Sequence, residues 1–212
     1  MRVLIINASP RRRGNSDVAT KELLDQFEKN GVETELYNLS SKPIMGCQAC
    51  RYCISNKRCA IDDDVNVIGD KIKDVDGLVV ITPTYYAAPS GPLLSFMQRL
   101  FYSNEARFTM KVGAAVVACR RAGATPALDT LQRFFLKANM IVVGSEYWNI
   151  LYGHRRGDGI EDVEGRQALR VLANNITFVM KSLELGKDKF GTPDIEPKIH
   201  MNFIRSTIDY GN

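Results

Sequence analysis

The sequence predicts an α/β protein built on a doubly wound parallel sheet, and three observations carry that prediction. Short apolar runs rich in β-branched residues recur, as in Val3-Leu4-Ile5-Ile6 and at 77–82. Segments with apolar residues at helical spacing fall between them. The alternation runs through most of the chain without an internal repeat. Runs that are apolar on both faces belong to central parallel strands covered by helices on each side. Strands that alternate with helices of these lengths wind into such a sheet.

Each element has its own warrant. The first strand covers residues 3–6. A polar, basic stretch at 7–15 follows, then a helix capped by Ser16 or Asp17, with Leu23, Leu24 and Phe27 as its apolar stripe. Asn30-Gly31 ends that helix with residues suited to the left-handed conformation. Residues 34–39 alternate as a second strand, and an excursion at 42–61 holds four cysteines. A helix at 62–73 places Val65, Ile68 and Ile72 on one face, and Asp76-Gly77 leads into the third strand at 77–82. Residues 93–101 read as a helix, 111–118 as the fourth strand, 125–139 as a helix, and 140–144 as the start of a fifth strand. The last helix, 162–185, carries Leu169, Leu172, Ile176, Val179 and Leu183. The count is five strands and five helices, with 1–185 as one domain and 186–212 as an extended tail. That tail is either a disordered end or an arm on a neighbouring subunit, because it contains Met201-Asn202-Phe203-Ile204-Arg205.

Composition narrows the function. Apolar residues make up 45% of the chain and charged residues 25%, the balance of a globular protein. The apolar runs are too short to span a bilayer, and no secretory leader pattern opens the chain, so a cytoplasmic protein with no membrane partner is expected. A net charge of +4 fits a small anionic ligand and does not argue for nucleic acid.

In an open α/β sheet, ligands sit beyond the carboxyl ends of the strands. Three loops arrive there. The first, Ser9-Pro10-Arg11-Arg12-Arg13-Gly14-Asn15-Ser16, joins hydroxyls and arginines to a helix N-terminus, which makes a phosphate site. It matches neither the Walker A pattern nor G-x-G-x-x-G. Read without a ligand, it is a solvated basic loop. The second runs from Pro83, Thr84, Tyr85, Tyr86 and Ala87 to Gly91 and suits a flat aromatic group. The third, around Arg120 and Gly123, offers charge and close backbone approach. A flavin with its own phosphate fits all three.

Cys47, Cys50, Cys53 and Cys59 read C-x2-C-x2-C-x5-C. Four thiolates at this density can hold a [4Fe–4S] cluster. They can also hold zinc, or remain metal-free thiols beside the ligand. Asp62, Asp63 and Asp64 read as the cap and first turn of the next helix. Cys119 reads as buried packing. Neither His154 nor His200 is assigned a catalytic role, and the loop around His154 is expected to cover a site in a neighbouring subunit.

The opening V-L-I-I-N-A-S-P-R…G-N-S and the stretch P-T-Y-Y-A-A-P-S-G-P-L-L-S-F-M-Q-R resemble the NAD(P)H-dependent FMN reductases of flavodoxin-like fold. The cysteine segment followed by Ile61-Asp62-Asp63-Asp64 resembles the iron–sulfur flavoproteins within that group. The resemblance implies strand order 2-1-3-4-5 and bound FMN. It implies that Ser9, Arg11, Asn15 and Ser16 hold the FMN phosphate, and that Pro83, Thr84, Tyr85 and Tyr86 line the isoalloxazine. It also implies dimers or tetramers. Gln98 departs from the family, in which many members have Asp at that position, and bears on interface contacts. The expected activity is electron transfer through FMN. The donor is NAD(P)H or a ferredoxin-like carrier, and the acceptor a quinone, a flavin or that carrier. The rival readings are a flavodoxin-like carrier without turnover and a zinc-stabilised interaction module.

Overall fold

The computed structural model describes residues 1–39, 43–197 and 199. Its sheet runs β2 (Glu33–Asn38), β1 (Arg2–Asn7), β3 (Gly77–Pro83), β4 (Val112–Cys119), β5 (Ile141–Val142), and all described pairings between these strands are parallel. A short strand, β6 (Ile150–Tyr152), follows β5 in the chain. The helices are α1 (Asn15–Lys29), α2 (Tyr52–Asn56), α3 (Asp64–Lys71), α4 (Gly91–Phe108), α5 (Ala124–Lys137) and α6 (Val163–Phe190). This is the flavodoxin-like order expected from the sequence.

The period of two in the strands divides the core into two layers. Leu4, Ile6, Leu78, Val80, Ala115 and Val117 face α3, α4 and α5. Val3, Ile5, Val79, Ile81, Ala114 and Val116 face α1 and α6. Every residue of β4 is buried, as a central strand requires, whereas no residue of the edge strand β2 is fully buried. The predicted helical stripes face the core: Leu23, Phe27, Val65, Ile68, Ile72, Leu169, Leu172 and Ile176 are buried, and Leu24, Val179 and Leu183 are partly buried at its margin.

The structure differs from the sequence reading in detail. The fifth strand is split, since β5 and β6 both pair with β4 and the chain leaves the sheet between them. A sixth, short helix, α2, lies within the cysteine segment. The helix cap at α1 is Gly14, not Ser16 or Asp17. Asp17 sits one turn in, and its carboxylate accepts the Gly14 N–H at 3.3 Å. The last helix runs to Phe190 rather than 185. His200 and residues 201–205 lie outside the described residues. No described helix is long and apolar enough to cross a membrane.

Glu22 on α1 bonds Arg166 at 2.9 Å and also Arg170, which fastens α1 to α6 across the same layer. Burial alone would raise the Glu22 pKa, but the bonds from Arg170 and Arg166 outweigh it and the pKa is lowered. A carboxylate whose folded pKa is depressed adds stability above its unfolded pKa, and that stability is lost as pH falls through the folded pKa. Glu22→Gln should therefore be less stable than the parent near pH 7. It should also lose less stability than the parent between about pH 7 and about pH 3. Urea midpoints at both pH values test this, and equal acid losses in the two proteins would refute it.

Candidate functional site

The site is built at the carboxyl ends of β1, β3, β4 and β6. The loop after β1 is shaped by a local network. Asn7 donates to Asp17 at 2.7 Å and accepts the Ser9 N–H at 3.0 Å. The Ser9 hydroxyl oxygen accepts the Arg11 N–H at 3.2 Å. Arg13 is left-handed (φ 58°), which turns the chain into Gly14 and α1. The N–H groups of Asn15 and Ser16 stand in the first turn, where a helix has no acceptor of its own to offer.

The loop after β3 is a tight hairpin. Tyr85 and Ala88 exchange both backbone hydrogen bonds at 2.9 Å. Tyr86 and Ala87 at its tip are both left-handed (φ 49° and 59°), a conformation that costs non-glycine residues energy. The loop after β4 meets this hairpin. Gly123 is left-handed (φ 87°), and a Cβ there would lie 2.9 Å from the Ala87 Cα. The two loops therefore touch backbone to backbone.

Together these loops wall a cleft of about 330 Å³. Ser9, Arg11, Asn15, Ser16, Pro83, Thr84, Tyr85 and Arg120 line it. Tyr86, Ala87 and Gly123 do not form its wall: Tyr86 is fully exposed at the hairpin tip, and Ala87 packs on Gly123. Sequence reasoning missed the fourth wall. Gly153, His154, Arg155 and Arg156 line the cleft of their own chain. The loop was expected over a neighbouring subunit's site. It comes home because β6 pairs with β4 and because Asn15 accepts the Gly159 N–H at 3.0 Å. Gly153 packs directly on the Asn15 amide, where a Cβ would be 2.5 Å from its nitrogen. The signal for this in the sequence is the pair of arginines beside Gly153 and His154.

Four arginines and no carboxylate line this cleft. The donor set suits a phosphate: guanidinium groups, a hydroxyl and free N–H groups at a helix N-terminus. Tyr85, Pro83 and the small residues beside them suit a flat ring. FMN therefore fits the residues present.

The cysteine segment lies apart from these loops, against α4. Cys47, Cys50, Cys53 and Cys59 all line one small hollow of about 40 Å³, with Arg99, Tyr102 and Ser103 of α4. Cys53 sits on α2, and Ala49, Arg51 and Lys57 around it are left-handed. Burial pushes the Cys53 thiol up, and charge on Cys59, Cys47 and Cys50 adds to the effect. Among the described residues, no three His, Cys, Asp or Glu side chains are grouped to hold a single metal ion. Four thiols lining one hollow are the donor type that an iron–sulfur cluster takes.

Arg99 organises this segment. It is 1% exposed and forms a two-pronged pair with Asp63 at 2.6 and 2.9 Å. It also donates to the Cys59 sulfur at 3.2 Å and to the Met45 and Ile61 carbonyls. Burial opposes its charge, but the bonds to Asp63 and Cys59 outweigh burial and raise its pKa. Asp63 also caps α3 by accepting the Val65 N–H at 3.0 Å, as the sequence led us to expect of the aspartate run. Gln98 is exposed and lines an apolar groove between α4 and α5, of about 670 Å³, which also touches Cys47. This larger cavity is separate from the arginine-lined cleft. Its walls include Phe101, Tyr102 and Phe134.

A model of the NADPH-dependent FMN reductase family matches residues 1–155. An iron–sulfur flavoprotein of Methanocaldococcus jannaschii is 32% identical over 195 residues, covering 87% of this chain and 100% of the relative. An iron–sulfur flavoprotein of Archaeoglobus fulgidus is 28% identical over 190 residues, covering 84% and 97%. Among solved structures, RosB with bound 8-demethyl-8-formylriboflavin-5′-phosphate superimposes with a TM-score of 0.70 at 17% identity, covering 100% of this chain and 95% of RosB. At that identity the likeness speaks for the fold alone. Cleft, cysteine segment, family model and relatives converge: this chain belongs to the NADPH-dependent FMN reductase family of flavodoxin-like flavin oxidoreductases, close to the iron–sulfur flavoproteins.

Proposed function

We propose that this chain binds FMN in the cleft between β1, β3, β4 and β6 and a [4Fe–4S] cluster on Cys47, Cys50, Cys53 and Cys59. On this reading it is a cytoplasmic homo-oligomer that passes electrons between NAD(P)H or a ferredoxin-like carrier and a small acceptor such as a quinone or a flavin. The observation that carries the flavin reading is the carboxylate-free cleft with four arginines at the switch edge of the sheet. The cluster reading rests on four thiols around one hollow.

Ser9, Arg11 and the N–H groups of Asn15 and Ser16 hold the phosphate, with the α1 dipole behind them. Thr84 and Tyr85 orient the ring. The Thr84 N–H and hydroxyl both donate to the Ala118 carbonyl, at 2.9 and 3.2 Å, which fixes the hairpin relative to β4. Arg120, Arg155 and Arg156 keep the cleft positive and attract anionic donors. When bound, FMN takes a hydride and returns electrons one at a time. The protein supplies position and field, and no side chain has to act as acid or base.

The deciding experiment is an absorbance spectrum of protein purified without oxygen, with flavin, iron, sulfide and zinc measured on the same sample. One FMN and about four iron per chain are expected for one cubane. Flavin without iron or sulfide would remove the cluster and leave a plain flavin reductase. Zinc without flavin would remove both. A separate test concerns the phosphate. Arg11→Ala should weaken FMN binding by about tenfold, the loss of one exposed charge-assisted bond. Riboflavin, which has no phosphate, should bind the parent and the variant alike in fluorescence titrations.

A further inference from the structure

We propose that the buried Arg99–Asp63 pair sets the reduction potential of the group held by the four cysteines, with Arg99 raising it through its bond to Cys59 and Asp63 restraining it. The inference rests on the cluster reading above and assigns both residues as positioning residues toward that group.

The geometry makes Arg99 a fixed element. A guanidinium has five N–H donors. Here they meet five acceptors: the Cys59 sulfur from Nε, Met45 O and Asp63 from Nη1, and Ile61 O and Asp63 from Nη2. The bond to sulfur cannot be lost by rotation without breaking the others. Cys59 is held from a second side as well. Asn66 on α3 accepts the Cys59 N–H at 2.9 Å and donates to the Cys59 carbonyl at 3.1 Å. Cys59 is thus clamped by two core helices at both its backbone and its sulfur. Cys47 and Cys50 are exposed.

Hydrogen bonds to ligating sulfurs and nearby positive charge favour the reduced, more negative state of a cluster. Arg99 provides both at one sulfur. Asp63 faces the other side of the same guanidinium and cancels part of its field. Its side chain is 25% exposed, so the cancellation is incomplete. The two residues therefore act with opposite sign on the same centre.

That opposition is the test. Asp63→Asn keeps a good helix cap for α3 and removes the negative charge. Arg99→Gln removes the positive charge and the Nε–H donor. Both variants are loaded without oxygen and assayed for iron and sulfide. The cluster is then titrated electrochemically and followed by electron paramagnetic resonance. At a fixed applied potential, Asp63→Asn should raise the ratio of reduced to oxidised cluster by on the order of tenfold, which is about 59 mV for one electron. Arg99→Gln should lower it by a similar factor. A merely structural role would cost both variants their iron or shift them in the same direction, and either result overturns the proposal. If Arg99→Gln fails to fold, Asp63→Asn decides alone: an upward shift supports the pair, and no shift or a downward one refutes it. A parent protein with no iron or sulfide overturns the cluster reading and this inference with it. A full cluster with an unmoved potential overturns the inference only.

Discussion

Replacing Arg99 by methionine should lower stability by about 3 kcal/mol, the low end of the cost of removing one partner from a buried ion pair. Methionine is long and adaptable enough to fill the space, so packing is largely kept and the charge is what disappears. Asp63 is then left without its cation, but its 25% exposure lets water relieve part of the penalty. The Met45 and Ile61 carbonyls lose a donor in the same step. Urea unfolding followed by circular dichroism at neutral pH would measure the loss. A change under about 1 kcal/mol would show that the pair does not support the cysteine segment in the way argued. Adding Asp63→Asn to the methionine variant should recover part of the loss, because the orphaned charge is gone.

The second large effect falls on the cleft. Gly123→Ala should weaken FMN binding by roughly tenfold to a hundredfold, from left-handed strain of about 1–3 kcal/mol and a forced shift of the hairpin at 85–88. Gly123 is not part of the cleft wall. It acts by letting the Ala87 backbone approach to a distance at which a Cβ would collide at 2.9 Å. Gly31→Ala is the control. Gly31 is also left-handed (φ 69°), but nothing lies within 4 Å of its Cβ direction, and it sits at the far end of α1. That variant should lose stability yet keep its affinity for FMN. Equal affinities in the Gly123→Ala variant and the parent would mean that the hairpin does not shape the site.

The parts of this protein legible in its sequence are those where one local rule decides. Val3 to Ile6 and β4 were readable because burial on both faces leaves few polar positions. The position of the β1–α1 loop was readable because a turn-forming basic stretch separates a buried strand from an amphipathic helix. The split of the last strand was not, because β5 and β6 are two short pieces whose pairing with β4 is set by tertiary context. Arg99 was passed over for a related reason. Its neighbours in sequence give no sign of its burial, and only the folded excursion brings Asp63, Cys59 and two carbonyls around it. The tyrosines were half legible. Tyr85 reaches the cleft, but the tight hairpin sends Tyr86 outward, and period-two reasoning does not foresee two left-handed residues at its tip.

Residues 153–156 close the cleft from a late part of the chain. Chains emerge from the ribosome N-terminus first, and a domain folds as a unit. The loop at 9–16 is among the first segments to appear, and the hairpin at 85–88 follows well before the end. The last wall arrives only after most of the chain has been synthesised, and it is latched by Asn15 reaching across to Gly159. The cleft is complete only when residues 153–159 pack against the start of α1. A ligand that needs all four walls therefore depends on the contact between Asn15 at the start of α1 and Gly159, 144 positions later in the chain.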